Sequence, residues 1–220
     1  MGAATYILIG ALDVFAVLVL MLKLYRLPVK DKLLGKVIFS ILAAGVSYLI
    51  RMILNIPIID TAVLMLMVIL FFRYYLEIKF FYSALISSAG MSAYVIIQLS
   101  LAMIYMAIGG DVQSVVLETQ GYKVQLMQIC SIAVAYIITT LMFIFRWGFS
   151  FIPVPPHDFN IKVDYNKNRA LLITTIATLI FISFAMVMLM NYVIVLLIPA
   201  ALLSFGVSYY FSNRRDLIID

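Results

Sequence analysis

Charge is scarce in this chain: only 11% of its 220 residues are Asp, Glu, Lys or Arg, where an ordinary soluble domain carries about a quarter. Reactive side chains are scarcer still. One cysteine, Cys130, excludes an intrachain disulfide, and one histidine, His157, leaves little to build a metal site or an acid–base pair. A Cys130–His157 dyad would join the outer half of one apolar segment to a loop at the opposite surface, so a buried apolar cysteine is the ordinary expectation for Cys130. Gly109–Gly110 precedes a polar stretch, not a nucleotide-binding helix, and tandem acidic pairs for phosphate chemistry are missing. These absences point away from an enzyme, a metal site and a bound cofactor. No charged leader precedes the first apolar run, since the first basic residue is Lys23, so no cleavable signal peptide is expected.

Apolar residues make up 66% of the chain and the mean hydropathy is +1.16. A soluble fold of this length cannot bury so much apolar surface. The composition therefore predicts an all-α, polytopic transmembrane helix bundle, one integral-membrane domain over residues 1–220. Seven apolar segments are expected, at 4–24, 33–54, 61–75, 80–108, 124–145, 170–190 and 193–211, with a short polar tail over 212–220. Six spans compete with seven. The last two segments are parted only by Asn191 and Tyr192, and Pro199 could kink a single re-entrant element there.

The net charge of +5 is not the signature of a nucleic-acid binder, because the cations sit in clusters between apolar runs. Thirteen of the fifteen Lys and Arg fall on one side if there are seven spans, among them Lys23, Arg26, Lys36, Arg73, Arg146, Arg214 and Arg215. The positive-inside rule makes that side cytoplasmic and puts the N-terminus outside, in a cell membrane. The outer face is then small: a few N-terminal residues, the stretch 55–60, the element GGDVQSVVLETQGYK and the Asn191–Tyr192 turn. The inner face carries RWGFSFIPVPPHDFNIKVDYNKNR, with Pro153, Pro155 and Pro156 favouring extended geometry and Trp147 suited to the headgroup layer.

Polar groups at membrane depth are costly and point to function. Asp13 lies nine residues into the first segment, about 13 Å from its outer end at 1.5 Å per residue. An ionised aspartate there costs about 2.5–3.5 kcal/mol on insertion scales and must find a partner. Arg51, near the outer end of the second segment, is the expected partner. Gln98 lies at a similar depth, and Gln125 and Gln128 stand one turn apart near the outer end of the fifth segment. Asp13, Arg51 and Gln98, with Asp111 and Glu118 above them, are the candidate lining of an outward-facing ligand pocket. In SALISSAGMSA, small residues recur every four positions (Ala84, Ser88, Ser92), the pattern of a helix packed closely on its neighbours. Tyr74, Tyr75, Phe80, Phe81 and Tyr82 read as an interfacial aromatic belt.

The stretch LMLMVILFFRYYLEIKFFYSALISS resembles the membrane sensor domain of agr-type peptide-pheromone receptor histidine kinases of Gram-positive bacteria. In that family, too, a span ends in aromatic and basic residues, passes an Ile-Lys-aromatic turn and re-enters directly; here these are Arg73, Ile78, Lys79, Phe80, Phe81 and Tyr82. The basic step Arg214–Arg215 after the final span is similar as well. The likeness covers the whole chain as hydropathy but only residues 64–105 as pattern. It implies a small hydrophobic peptide as ligand, held at the outer half, and signalling through the last helices to a histidine kinase or a second copy of the chain. The kinase part has no counterpart, since nine residues follow Phe211, so the chain reads as the sensor part of a longer receptor or as a stand-alone relative. Two other readings stand beside it: a substrate-binding membrane subunit of a transporter, and an immunity or assembly protein without a small ligand.

Overall fold

The computed structural model describes residues 2–110, 121–152, 168–190 and 194–219. Seven helices are found among them: α1 (Ala3–Leu24), α2 (Leu33–Tyr48, continuing as a π-helical turn over Leu49–Ile53), α3 (Pro57–Tyr74), α4 (Phe80–Ala107), α5 (Tyr122–Ile144), α6 (Arg169–Met190) and α7 (Ile194–Ile219). No strand occurs among the described residues. Five of the helices, α1 to α5, are long and apolar enough to cross a bilayer, and 169–184 of α6 form a shorter apolar stretch. Their outer faces are apolar too: Leu42 is 61% exposed, Ile104 60% and Ile137 59%. Water would not tolerate such a ring of aliphatic surface, whereas lipid does. The chain is a multi-pass membrane protein.

α1 and α4 form the centre. The second half of α1, from Val14 to Leu24, is mostly buried, and α4 buries sixteen residues between Phe81 and Ala102. The small-residue pattern explains the closeness: Ser83, Ser87, Ser88 and Ser92 are fully buried, and a Cβ added to Gly90 would lie 2.2 Å from Met21 Cγ and 3.2 Å from its Cα. Three of these hydroxyls bond backbone carbonyls, Ser83 Oγ donating to Lys79 O at 3.1 Å, Ser88 Oγ to Leu85 O at 3.0 Å and Ser92 Oγ to Ala89 O at 2.9 Å, whereas Ser87 Oγ is buried without a partner among the described residues. Around this pair, α2 and α5 pack on α1, while α3, α6 and α7 pack on α4.

The helix ends gather at two poles. At one, the connection after α1 meets the ends of α5 and α7: Phe149 N–H donates to Leu24 O at 2.9 Å, the Tyr25 hydroxyl lies 3.4 Å from Ser212 Oγ, and Asp216 accepts from Ser150 N–H and Oγ at 2.7 and 2.9 Å. Lys32 also meets Glu77 there, at 3.2 Å. This is the basic pole, holding Lys23, Arg26, Arg146, Arg214 and Arg215. At the far pole, Tyr6 packs edge-on against Tyr48 with ring centroids 5.4 Å apart. The last helix thus ends at the same pole as the connection between α1 and α2.

Several expectations shift in detail. α3 starts at Pro57, not at 61, so Asp60 is a buried residue of its first turn and not part of a loop. Proline at the first helical turn is its ordinary start signal, since the missing N–H there has no helical partner to lose. α6 and α7 pack on each other, Ser204 Oγ donating to Thr178 Oγ1 at 3.1 Å, and Pro199 lies inside α7. α7 runs on to Ile219, so the expected tail at 212–220 is helical as far as that residue. In the expected aromatic belt, Tyr74, Tyr75 and Phe80 are exposed, but Phe81 and Tyr82 turn into the core. Cys130 lies on the exposed face of α5, not buried.

Candidate functional site

Asp13 sits ten residues into α1, about 15 Å along the helix. Its two oxygens are engaged by two other helices. The Tyr94 hydroxyl of α4 donates to Oδ1, and Gln128 Nε2 of α5 donates to Oδ2 at 3.3 Å. Gln98, one turn on from Tyr94, interacts with the Tyr94 hydroxyl. The side chain of Tyr136 on α5 also faces the Asp13 charge. One carboxyl group therefore ties α1, α4 and α5 together.

The energetics of that arrangement balance. Placing the carboxylate at this depth costs about 2.5–3.5 kcal/mol, and each hydrogen bond to a charged group returns about 1.5–3 kcal/mol. Two donors suffice to hold it. A carboxylate has about four acceptor positions, so two donors leave capacity for another polar group. Asp13 is half-buried and Gln98 exposed, whereas Tyr94 between them is buried. The cluster has an inner anchor and an accessible rim.

Arg51 does not bond Asp13. Its Nε donates to Asp60 Oδ2 at 2.5 Å, and Ser47 Oγ donates to the same oxygen at 3.1 Å. The reason is position. The π-helical turn carries Arg51 toward the start of α3, where Asp60 faces it across a short connection closed by Asn55 in the left-handed conformation, φ 56°. Asp60 also sits in the first turn of α3, where the helix dipole favours negative charge. Arg51 acts on Asp13 only through its electrostatic field.

Of the five expected residues, Asp13 and Gln98 meet through Tyr94, whereas Arg51 is paired with Asp60 instead. Asp111 and Glu118 lie outside the described residues, as do His157 and the proline-rich stretch at 153–156. Tyr94 is the residue that sequence reasoning missed. Gln128 stands out in the sequence by its depth but not as a partner of Asp13, while Gln98 lies one turn from Tyr94. Among the described residues there is no group of three His, Cys, Asp or Glu able to hold a metal.

No family model, no curated protein and no solved structure matches this chain.

Proposed function

We propose that this chain is a non-enzymatic membrane receptor module that binds a small hydrophobic peptide from outside and signals through its last helices to a cytoplasmic partner, a histidine kinase or a second copy of itself. The observation that carries the reading is the Asp13–Tyr94–Gln128 cluster, a polar junction of three helices deep in an otherwise apolar bundle. Such groups are retained in membranes where they recognise something or switch. A peptide's backbone amides supply donors for the spare acceptor positions of Asp13, and its apolar side chains suit the surrounding Leu and Ile.

A route from that junction to the far side exists in α1. Asp13 lies at its middle, and its last residues hold the basic pole, where Phe149 bonds Leu24 O and Asp216 of α7 bonds Ser150. A ligand that favours one setting of α1 biases α7 through those contacts, provided it binds the two settings with different affinity. By the positive-inside rule the basic pole faces the cytoplasm, so seven spans with an outward N-terminus fit both the charge pattern and the shared pole of the α1–α2 connection and the end of α7. A Gram-positive cell membrane fits the resemblance in the stretch 64–105.

The test is purification from native membranes in mild detergent, with mass spectrometry of bound proteins and small molecules. A histidine kinase or a cyclic or modified peptide in the purified complex supports the receptor reading. An ATPase together with a metabolite-sized ligand overturns it in favour of a transporter subunit.

A further inference from the structure

At the basic pole, a cleft of about 550 Å³ opens between the ends of α1 and α5, lined by Lys23, Arg26, Arg146, Phe143, Ile144 and Trp147. Among the described residues, three cations line it and no acidic residue does. Lys23 Nζ lies 4.3 Å from the centre of the Phe143 ring, and Arg26 Nη2 donates to Arg146 O at 2.8 Å. Phe143, Ile144 and Trp147 are each more than 60% exposed.

The way the two helices end sets this cleft apart. α1 closes with Arg26 N–H on Lys23 O and Leu27 N–H on Leu22 O; α5 closes with Arg146 N–H on Phe143 O and Trp147 N–H on Met142 O. Both are Schellman caps, whose pivotal residue takes the left-handed conformation that glycine adopts without strain. Here the pivots are Arg26 at φ 49° and Arg146 at φ 54°. α4 makes the same cap at the far pole with Gly109 at φ 85°. A cation near a helix C-terminus satisfies the dipole from any position in the last turn, so capping alone does not require arginine at the strained pivot. Placing arginine at both pivots puts the cations into one cleft.

The apolar side of the cleft shows what kind of molecule fits. Ile137, Leu141 and Ile144 form an exposed aliphatic ridge along α5 that leads straight to Arg146, and Trp147 stacks on Phe145 beside it. A ligand that follows the ridge and ends in the cleft is amphipathic, with an apolar chain and an anionic head. We infer that this cleft is a binding site for the phosphodiester headgroup of an anionic phospholipid, its acyl chain lying along α5. The volume is that of a small-molecule site, and cation clusters at the membrane boundary attract anionic lipid by roughly fivefold in affinity per Lys or Arg.

The experiment uses the full chain in nanodiscs of equal parts phosphatidylglycerol and phosphatidylcholine, with native mass spectrometry of the lipid retained after extraction. Two variants remove cleft charge, Lys23→Gln and Arg146→Gly. The second puts glycine at the left-handed pivot, so its melting temperature should stay level or rise. Arg214→Gln removes an exposed charge at the same pole but outside the cleft. The site predicts preferential retention of phosphatidylglycerol, about fivefold less in each cleft variant, and no change in Arg214→Gln. Equal retention of both lipids, or equal loss in Arg214→Gln, overturns it. Displacement of the lipid by inorganic phosphate alone also overturns it, in favour of a soluble anion site.

Discussion

Replacing Arg51 by leucine removes the ionic partner of a carboxylate that has almost no contact with the outside: the Asp60 side chain is 4% exposed, whereas that of Arg51 is 33% exposed. Breaking a buried ion pair from one side costs about 3–5 kcal/mol, because the remaining charge stays buried. Asp60 keeps the Ser47 hydroxyl at 3.1 Å, which lowers the expected cost of Arg51→Leu to about 2–4 kcal/mol. The opposite change, Asp60→Leu, strands a guanidinium on a long stem near the end of the bundle. It can turn toward the boundary, so the cost falls to about 1–2 kcal/mol. The two single variants should therefore be unequal, and the double variant should cost less than their sum, with a coupling of about 1–3 kcal/mol. Reversible unfolding in mixed micelles of mild detergent and SDS, followed by far-ultraviolet circular dichroism, measures all four corners of the cycle. A parallel cycle on Asp13 and Arg51 should give a smaller coupling, since no hydrogen bond joins them. If the 51–60 pair proves additive while the 13–51 pair is coupled, the assignment of Arg51 to Asp60 is wrong.

Further outcomes follow from other contacts. Tyr94→Phe removes a donor to Asp13 and should lower stability by about 1–2 kcal/mol in the same unfolding assay; an unchanged or raised stability would mean the hydroxyl does not hold the carboxylate. Lys36 is 1% exposed and donates to the carbonyls of Pro28, Val29 and Asp31 at 2.7–2.9 Å, so Lys36→Met should cost about 2–3 kcal/mol and speed hydrogen exchange in the α1–α2 connection. Gly148 stands at φ 135°, and a Cβ there would lie 2.6 Å from Lys23 O. Gly148→Ala should accordingly lower the melting temperature, at about 1–3 kcal/mol. A variant as stable as the parent would contradict the close seating of the α5 connection on α1.

Hydropathy makes the helices legible, because an apolar run of about 20 residues has few alternatives in a chain so poor in charge. The packing of α4 is legible in the recurrence of Ala84, Ser88 and Ser92, since small side chains at one-turn spacing only help where a neighbour comes close. Asp13 stands out because it is expensive where it lies. Its partners do not. Tyr94 looks like one aromatic among many, and its hydroxyl matters only once α4 is set against α1. Sequence reasoning pairs Arg51 with Asp13 because it leaves Asp60 in a loop. Pro57, three residues before Asp60, is the sign that a helix has already begun. The two arginine pivots carry no sequence signal at all, since a Schellman cap is read from glycine and here glycine is missing.

The functional reading rests on the proposed orientation, with the basic pole in the cytoplasm, and cysteine labelling tests that orientation most directly. In a Cys130→Ser background, single cysteines in place of the exposed Asn55 and Asn213 mark the two poles, and intact cells are treated with a membrane-impermeant maleimide. Asn55→Cys should be labelled in intact cells, and Asn213→Cys only after the membrane is opened. Labelling of Asn213→Cys in intact cells would contradict this orientation, placing the basic pole outside and removing both the ligand route and the cytoplasmic output.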